Sequence, residues 1–262
     1  MINEDLMKVI TSTNYAGQVY TSGRIVEYDI SKCNISMLKK YGVIDNDTFT
    51  FLLGLPKIAR EKEIGLMEIY NPEYYDVIAN GTKEAKLKLA ELNDIKLHEI
   101  IRVANDALYI NRFTDLRYTR IDEYIEFKPK SISSVVLFLS PTVSVYYNRD
   151  NSTGQINMDI KGLGDNAILH QNYFSSFLAT VITLIEYSSI NDVIEFIKSF
   201  YDDYINRRLD IGFYREFNAD SMYSINHSGY YISNAESIDL IDIKYNMNII
   251  RNIWGIVLQR IK

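Results

Sequence analysis

Two aspartates stand where a carboxylate can meet a divalent cation. Asp29 closes the apolar-polar alternation of Arg24 to Tyr28, and Asp106 lies in the dipeptide Asn105-Asp106 between two apolar runs. Enzymes that join or cut phosphodiesters use two such cations, about 3.5 to 4 Å apart, to clamp the attacking and leaving oxygens. Magnesium accepts few protein oxygens and completes its octahedron with water and substrate phosphates, so two well-placed acids suffice. Each aspartate also has an ordinary explanation. An acid after a strand and before a helix is commonly a helix cap, and Asn-Asp is commonly only a turn.

The elements that must position these acids can be read from periodicity and punctuation. Arg24 to Ile30 alternates as a strand, with Ile25, Tyr28 and Ile30 among polar residues, and Ile35 to Tyr41 begins a short helix. Pro56 opens a second helix and Asn71-Pro72 a third, on which Ile78, Ala85, Leu89 and Leu92 make one apolar face suited to packing on a sheet. Glu99 to Phe113 reads as a hairpin around Asn105-Asp106. Further strands are expected at Glu123 to Phe127, Ser134 to Leu139, Val143 to Tyr147 and Gln155 to Ile160. Beyond a seam near Ile160 to Gln171, helices are expected around Phe174 to Leu184, Ile190 to Ile205 and Met247 to Ile261. Mixed sheet and helices followed by a helical bundle is an α+β arrangement.

Composition narrows the function classes. The 262 residues are 47% hydrophobic, enough to bury a real core. No apolar run approaches the roughly 20 residues of a membrane helix, and Met1 to Met7 has no signal-peptide pattern, so a cytoplasmic protein without membrane partners is expected. One cysteine, Cys33, excludes an internal disulfide, and His98, His170 and His227 are too scattered for a zinc site. A net charge of -6 argues against a strongly basic nucleic-acid binder. The 21 tyrosines could stack bases, but they accompany an excess of asparagine, isoleucine and lysine, which reads as bias of the whole sequence.

An ordered series of segments resembles the palm, fingers and thumb core of family B DNA polymerases, in a divergent, phage-like form. Tyr15-Ala16-Gly17-Gln18-Val19 and Arg24-Ile25-Val26-Glu27-Tyr28-Asp29-Ile30-Ser31-Lys32-Cys33-Asn34-Ile35-Ser36-Met37-Leu38 are similar to the family's lead-in and motif A, with Asp29 and Ser36 on matching positions. Arg102-Val103-Ala104-Asn105-Asp106-Ala107-Leu108-Tyr109-Ile110 is similar to motif C, with Asp106 in place of its second aspartate. The helix from Asp76 to Leu92, carrying Gly81, resembles the palm helix before motif C. Asp159-Ile160-Lys161-Gly162-Leu163 looks like the palm-to-thumb segment, and Asp242-Ile243-Lys244-Tyr245-Asn246 like the element that closes the thumb. The resemblance runs from about Tyr15 to Ile261.

It implies an antiparallel palm-like sheet with packed helices over 1–165, an abbreviated fingers helix at about 45–70, and a mainly helical thumb-like part over 166–262. It also implies a nucleotidyltransferase that uses Mg2+ or Mn2+, nucleoside triphosphates and a nucleic-acid primer-template. Asp29 and Asp106 would hold the ions, with the backbone at Ile30 and Ser31 bridging metal and phosphates. Lys57, Arg60 and Lys62 would grip the triphosphate, Lys62 as the motif B lysine; the bland reading of the three is a solvated face shared with Glu61 and Glu63.

The departures carry expectations of their own. Ala104 replaces the first motif C aspartate, so metal affinity should drop or another acid must contribute. Asn34 replaces the tyrosine that excludes a ribose 2'-hydroxyl, which opens ribonucleotide use. The chain reads Gly65-Leu66-Met67 where motif B should continue, and Thr142 to Tyr147 replaces the lysine-bearing primer-gripping segment. No exonuclease segment is evident, so no proofreading is expected. A degenerate polymerase serving as an accessory or inhibitor subunit of a larger replication or nucleoprotein assembly is the alternative; a metal-dependent nuclease shares the carboxylates but has no motif in support.

Overall fold

The alternation seen from Arg24 onward reaches further back in the structure, giving a strand over Tyr20–Ile30. This computed structural model describes residues 4–12, 15–16, 20–138, 144–149, 156–161, 171–206, 208–209, 223–226 and 229–232. They fall into two compact units, 1–135 and 136–262, divided within one long strand. The architecture is α+β.

The first unit opens with α1 (Glu4–Ile10), β1 (Tyr15–Ala16) and β2 (Tyr20–Ile30). Four helices follow: α2 (Cys33–Lys40), α3 (Asn46–Gly54), α4 (Lys57–Tyr70) and α5 (Glu73–Leu92). Then come β3 (Ile100–Val103), β4 (Ala107–Asn111) and the first part of β5 (Phe127–Phe138). The strands lie in the order β1-β3-β4-β2-β5, and the pairs β1–β3, β3–β4 and β2–β4 are antiparallel. The expected hairpin is present: Val103 faces Leu108, and Ala104 N donates to Ala107 O at 3.0 Å across the turn.

The core of this unit joins Val26, Tyr28 and Ile30 of β2 with Leu108 and Ile110 of β4, Ala85 and Leu89 of α5, and Leu6 and Ile10 of α1. A smaller cluster, Ile35, Leu38, Ile44, Leu52 and Ile64, ties α2 to α3 and α4. Helix α2 serves both, because Cys33 and Met37 face the sheet side while Ile35 and Leu38 face the helical pair. Gly81 lets α5 approach α2 closely. A Cβ there would lie 2.6 Å from the Tyr41 ring and 2.9 Å from Met37 Sδ.

Three differences from the sequence reading have physical causes. The expected fingers helix is two helices: Asp45 caps α3 by accepting from Thr48 N, and Leu55 is extended ahead of Pro56, where a proline disfavours helical backbone in the preceding residue. Glu123 to Phe127 is not a strand before Phe127, because Asp122 Oδ1 accepts from Tyr124 N and Ile125 N and folds the chain locally. The buried stripe of α5 is Gly81, Thr82, Ala85, Lys86, Leu89 and Ala90, while Leu92 is exposed. Three of those six residues are not apolar, which hides the stripe from a hydrophobic count.

In the second unit β6 (Ser144–Arg149) pairs antiparallel with β7 (Ile156–Lys161). Helix α6 (Gln171–Tyr187) packs on α7 (Ile190–Ile205), with the Phe177 ring stacked 4.0 Å from that of Phe200. Ser189 and Asp192 form a capping box at the start of α7. A short hairpin, β8 (Tyr223–Asn226) and β9 (Gly229–Ile232), was not anticipated. The expected C-terminal helix over 247–261 and most of the seam near 160–171 lie outside the described residues. No helix among the described residues is long and apolar enough to cross a membrane.

Candidate functional site

Antiparallel pairing of β2 with β4 brings the two aspartates together across seventy-seven positions of sequence. Asp29 faces Ala107 in the register, and the next residue, Ile30, donates its N–H to the carbonyl of Asp106 at 2.9 Å. Strand end and hairpin turn are thus locked by a backbone bond. The Asp29 carboxyl is held above the usual carboxylate range, first by burial and then by the negative field of Asp106, with Lys130 working the other way. Mutual repulsion of this kind is what a bound cation relieves. Among the described residues no three of His, Cys, Asp and Glu gather to hold a metal. The fit is therefore to a hard ion that takes two carboxylates and fills its shell with water or phosphate oxygens, as magnesium does.

The backbone after Asp29 turns sharply. Lys32 sits at φ 53°, a left-handed conformation uncommon for a residue with a side chain, and from it α2 begins. Ser31 N donates to Glu126 O at 2.9 Å, which fastens this turn to the chain entering β5, and Ser36 Oγ donates back to Ser31 O at 3.3 Å. Ile30 and Ser31 therefore lie beside the aspartate pair. Asn34, one turn on, donates to Glu61 Oε2 on α4 at 2.7 Å. That bond links the candidate sugar-facing position to α4.

The three candidate cations of α4 separate. Lys57 and Lys62 are exposed, whereas Arg60 is buried with its guanidinium 3.6 Å from Glu61. Arg60 shares the buried face of α4 with Ile64, one turn on. The α4 N-terminus has no side-chain cap and no acid in its first turn.

Sequence reasoning missed three residues around the pair. Lys130, on the exposed start of β5, places Nζ 3.5 Å from Asp29 Oδ2 and 3.4 Å from Glu27 Oε1. Burial works against its charge, but the fields of Glu27 and Asp29 outweigh that and hold the ammonium above the usual lysine range. Glu27 is only 3% exposed and accepts from Tyr109 OH at 2.8 Å and Ser131 Oγ at 2.7 Å. Lys86, 1% exposed on α5, donates to the carbonyl of Ala104 at 3.0 Å, beneath the turn that ends in Asp106. Lys130 stands in Phe127-Lys128-Pro129-Lys130, where a proline interrupts strand alternation.

Cys33 lies on the inner side of the same turn. Its thiol donates to Thr82 Oγ1, 3.4 Å away, since that hydroxyl already donates to Ile78 O. Burial pushes the thiol up to about 12, and the Asp106 and Asp29 charges add to it against the Thr82 bond. A neutral, enclosed thiol is a poor nucleophile. Iodoacetamide at pH 8 should therefore leave Cys33 unmodified in the native chain and alkylate it fully in urea, as intact-mass spectrometry would read.

With this geometry in view, the comparison with known families is informative. The description "Bacteriophage PBS1 gene 130 protein" belongs to a family that matches residues 7–259. The chain belongs to that phage family. Its matched span takes in β2, the β3–β4 hairpin, α5 and Lys130, so every residue placed at the aspartate pair lies within the gene 130 family region. No curated protein matches the chain. Phage origin is what the gene 130 family supports, and the chemistry has to be argued from the site.

Proposed function

We propose that this phage protein is a metal-dependent nucleotidyltransferase, resembling a minimal family B DNA polymerase, that adds nucleotides to a nucleic-acid 3' end in the host cytoplasm. The observation that carries the reading is the adjacency of Asp29, near the end of β2, and Asp106, in the β3–β4 turn, with Ile30 bonded to the Asp106 carbonyl. Asp29 and Asp106 would hold Mg2+ or Mn2+, which supplies Lewis acidity toward phosphoryl oxygen and lowers the pKa of a hydroxyl at the site. The chain's own residues do the rest. Carboxylate repulsion keeps the Asp29 side chain receptive to a cation. Lys57 and Lys62, both exposed, supply positive charge for a triphosphate, and the uncapped α4 N-terminus adds unsatisfied N–H groups of the same sign. Asn34 is shorter than tyrosine and is drawn toward Glu61, so the sugar position is open to a ribose.

A second reading, a retired polymerase acting as accessory or inhibitor subunit, is favoured by Ala104, which supplies no carboxylate to the hairpin turn. Primer extension separates the two. The purified chain is incubated with primed and unprimed DNA and RNA, each nucleoside triphosphate set, and Mg2+ or Mn2+. Extension of the 3' end supports the enzyme, with ribonucleotide incorporation within about tenfold of deoxyribonucleotide because no bulky side chain screens the 2'-hydroxyl. No extension with any combination, from a chain that unfolds cooperatively, rejects the enzyme in favour of the subunit.

A further inference from the structure

Lys130 is shared between two acids and committed to neither. Its ammonium stands 3.4 Å from Glu27 Oε1 and 3.5 Å from Asp29 Oδ2, both longer than the roughly 2.7 to 2.9 Å of a tight charge-assisted bond. The two acids differ in kind. Glu27 is buried and accepts from Tyr109 OH and Ser131 Oγ, which orient its carboxylate. A buried carboxylate needs a cation nearby, because burying an uncompensated charge is costly. Asp29 is partly open and faces Asp106. The lysine side chain is 56% exposed, so its stem can swing without repacking the core.

We propose that Lys130 is a tethered counter-ion which competes with the divalent cation for Asp29 and is drawn onto Glu27 when that cation arrives. This rests on the reading that Asp29 and Asp106 hold a metal ion. In the metal-free chain the ammonium partly neutralises Asp29. A divalent ion at Asp29 repels the ammonium, and Glu27 keeps it within reach, where its charge faces the phosphates that complete the metal's shell. Glu27 is thus a positioning residue that acts through Lys130, and the site trades one cation for another without leaving Asp29 and Asp106 uncompensated.

The test is Mn2+ affinity of the full chain, measured by electron paramagnetic resonance of free Mn2+ without nucleotide or nucleic acid. Glu27→Gln keeps one acceptor oxygen, presents an amide N–H to the other hydroxyl, which can accept it, and leaves Asp29 as the stronger attraction for Lys130, so Mn2+ should bind more weakly than in wild type. Removing the competitor should tighten binding by on the order of tenfold. Lys130→Met alone can fail to fold, because it takes a cation from a buried acid; Glu27→Gln/Lys130→Met removes both charges and keeps the hydrogen bonds. The double variant should bind Mn2+ more tightly than wild type while Glu27→Gln binds it less tightly. A purely structural role shifts both variants in the same direction, or neither, and overturns the proposal. So does Mn2+ binding that survives Asp29→Asn unchanged, or an absence of binding in both wild type and the double variant. Opposite shifts in a chain that extends no primer uphold the counter-ion role and reject the nucleotidyltransferase.

Discussion

Asp29→Asn is expected to abolish the proposed nucleotide addition, by about a thousandfold or more, and to raise the melting temperature at pH 7. The loss follows from the carboxylate's place in the pair: a metal ion's stabilisation of transition-state charge amounts to several kcal/mol, and about 4 kcal/mol is a thousandfold in rate. The gain in stability is the more discriminating half. Burial and the fields of Asp106 and Glu27 raise the Asp29 carboxyl, with Lys130 offsetting part. A carboxyl whose folded pKa exceeds its unfolded one favours the folded state while protonated, and that advantage is lost as pH rises through the interval between the two values. At pH 7 the ionised Asp29 therefore costs stability, which asparagine, neutral and nearly isosteric, recovers. The proposed metal site would account for a carboxylate kept at such a cost. If Asp29 were only a helix cap, asparagine would cap as well, and neither activity nor melting temperature would move much. Differential scanning calorimetry and primer extension on the same preparation decide between them, and unchanged activity in Asp29→Asn would reject the assignment.

How much of this could be read from the sequence depends on whether the deciding bond is local. The strand ending at Asp29, the hairpin around Asn105-Asp106 and the opening of α4 and α5 at their prolines all announce themselves through alternation or turn chemistry within a dozen residues. The pairing of β2 with β4 needed the resemblance as well, since nothing local says which strands become neighbours. Lys130, Glu27 and Lys86 were illegible for another reason: each is a charged residue whose surroundings are set by partners 18 to 104 positions away. A glutamate inside a strand and a lysine inside a buried stripe look like pattern errors until the partners are known. Arg60 reads like Lys57 and Lys62 in sequence, three basic residues in six positions, but it lies on the buried face with Ile64.

Lys86 yields the second large effect, on the pH dependence of folding. Burial lowers its ammonium to about 8, against the pull of Cys33 and Asp106, while the unfolded lysine keeps its ordinary value of 10.5. Between those values the unfolded chain binds the extra proton, so stability rises with pH across the interval and the cost of the buried charge is fully present below about 8. The shift, 10.5 to about 8, corresponds to about 3 kcal/mol at about 1.4 kcal/mol per unit. Other groups titrate there in the opposite sense, for Cys33, Tyr28 and Tyr41 are all raised and weaken the fold as they ionise. The difference between wild type and Lys86→Met cancels them. Relative to the variant, wild type should gain about 3 kcal/mol in unfolding free energy between pH 7.5 and pH 11, measured by urea titration at each pH. A flat difference means the ammonium is solvated and the buried geometry is wrong. Methionine also withdraws the donor from the Ala104 carbonyl, so the turn carrying Asp106 loses its support from α5. At pH 7.5 the variant should fold more stably and bind Mn2+ more weakly, a pairing that arises only if the buried lysine is kept for the turn it holds.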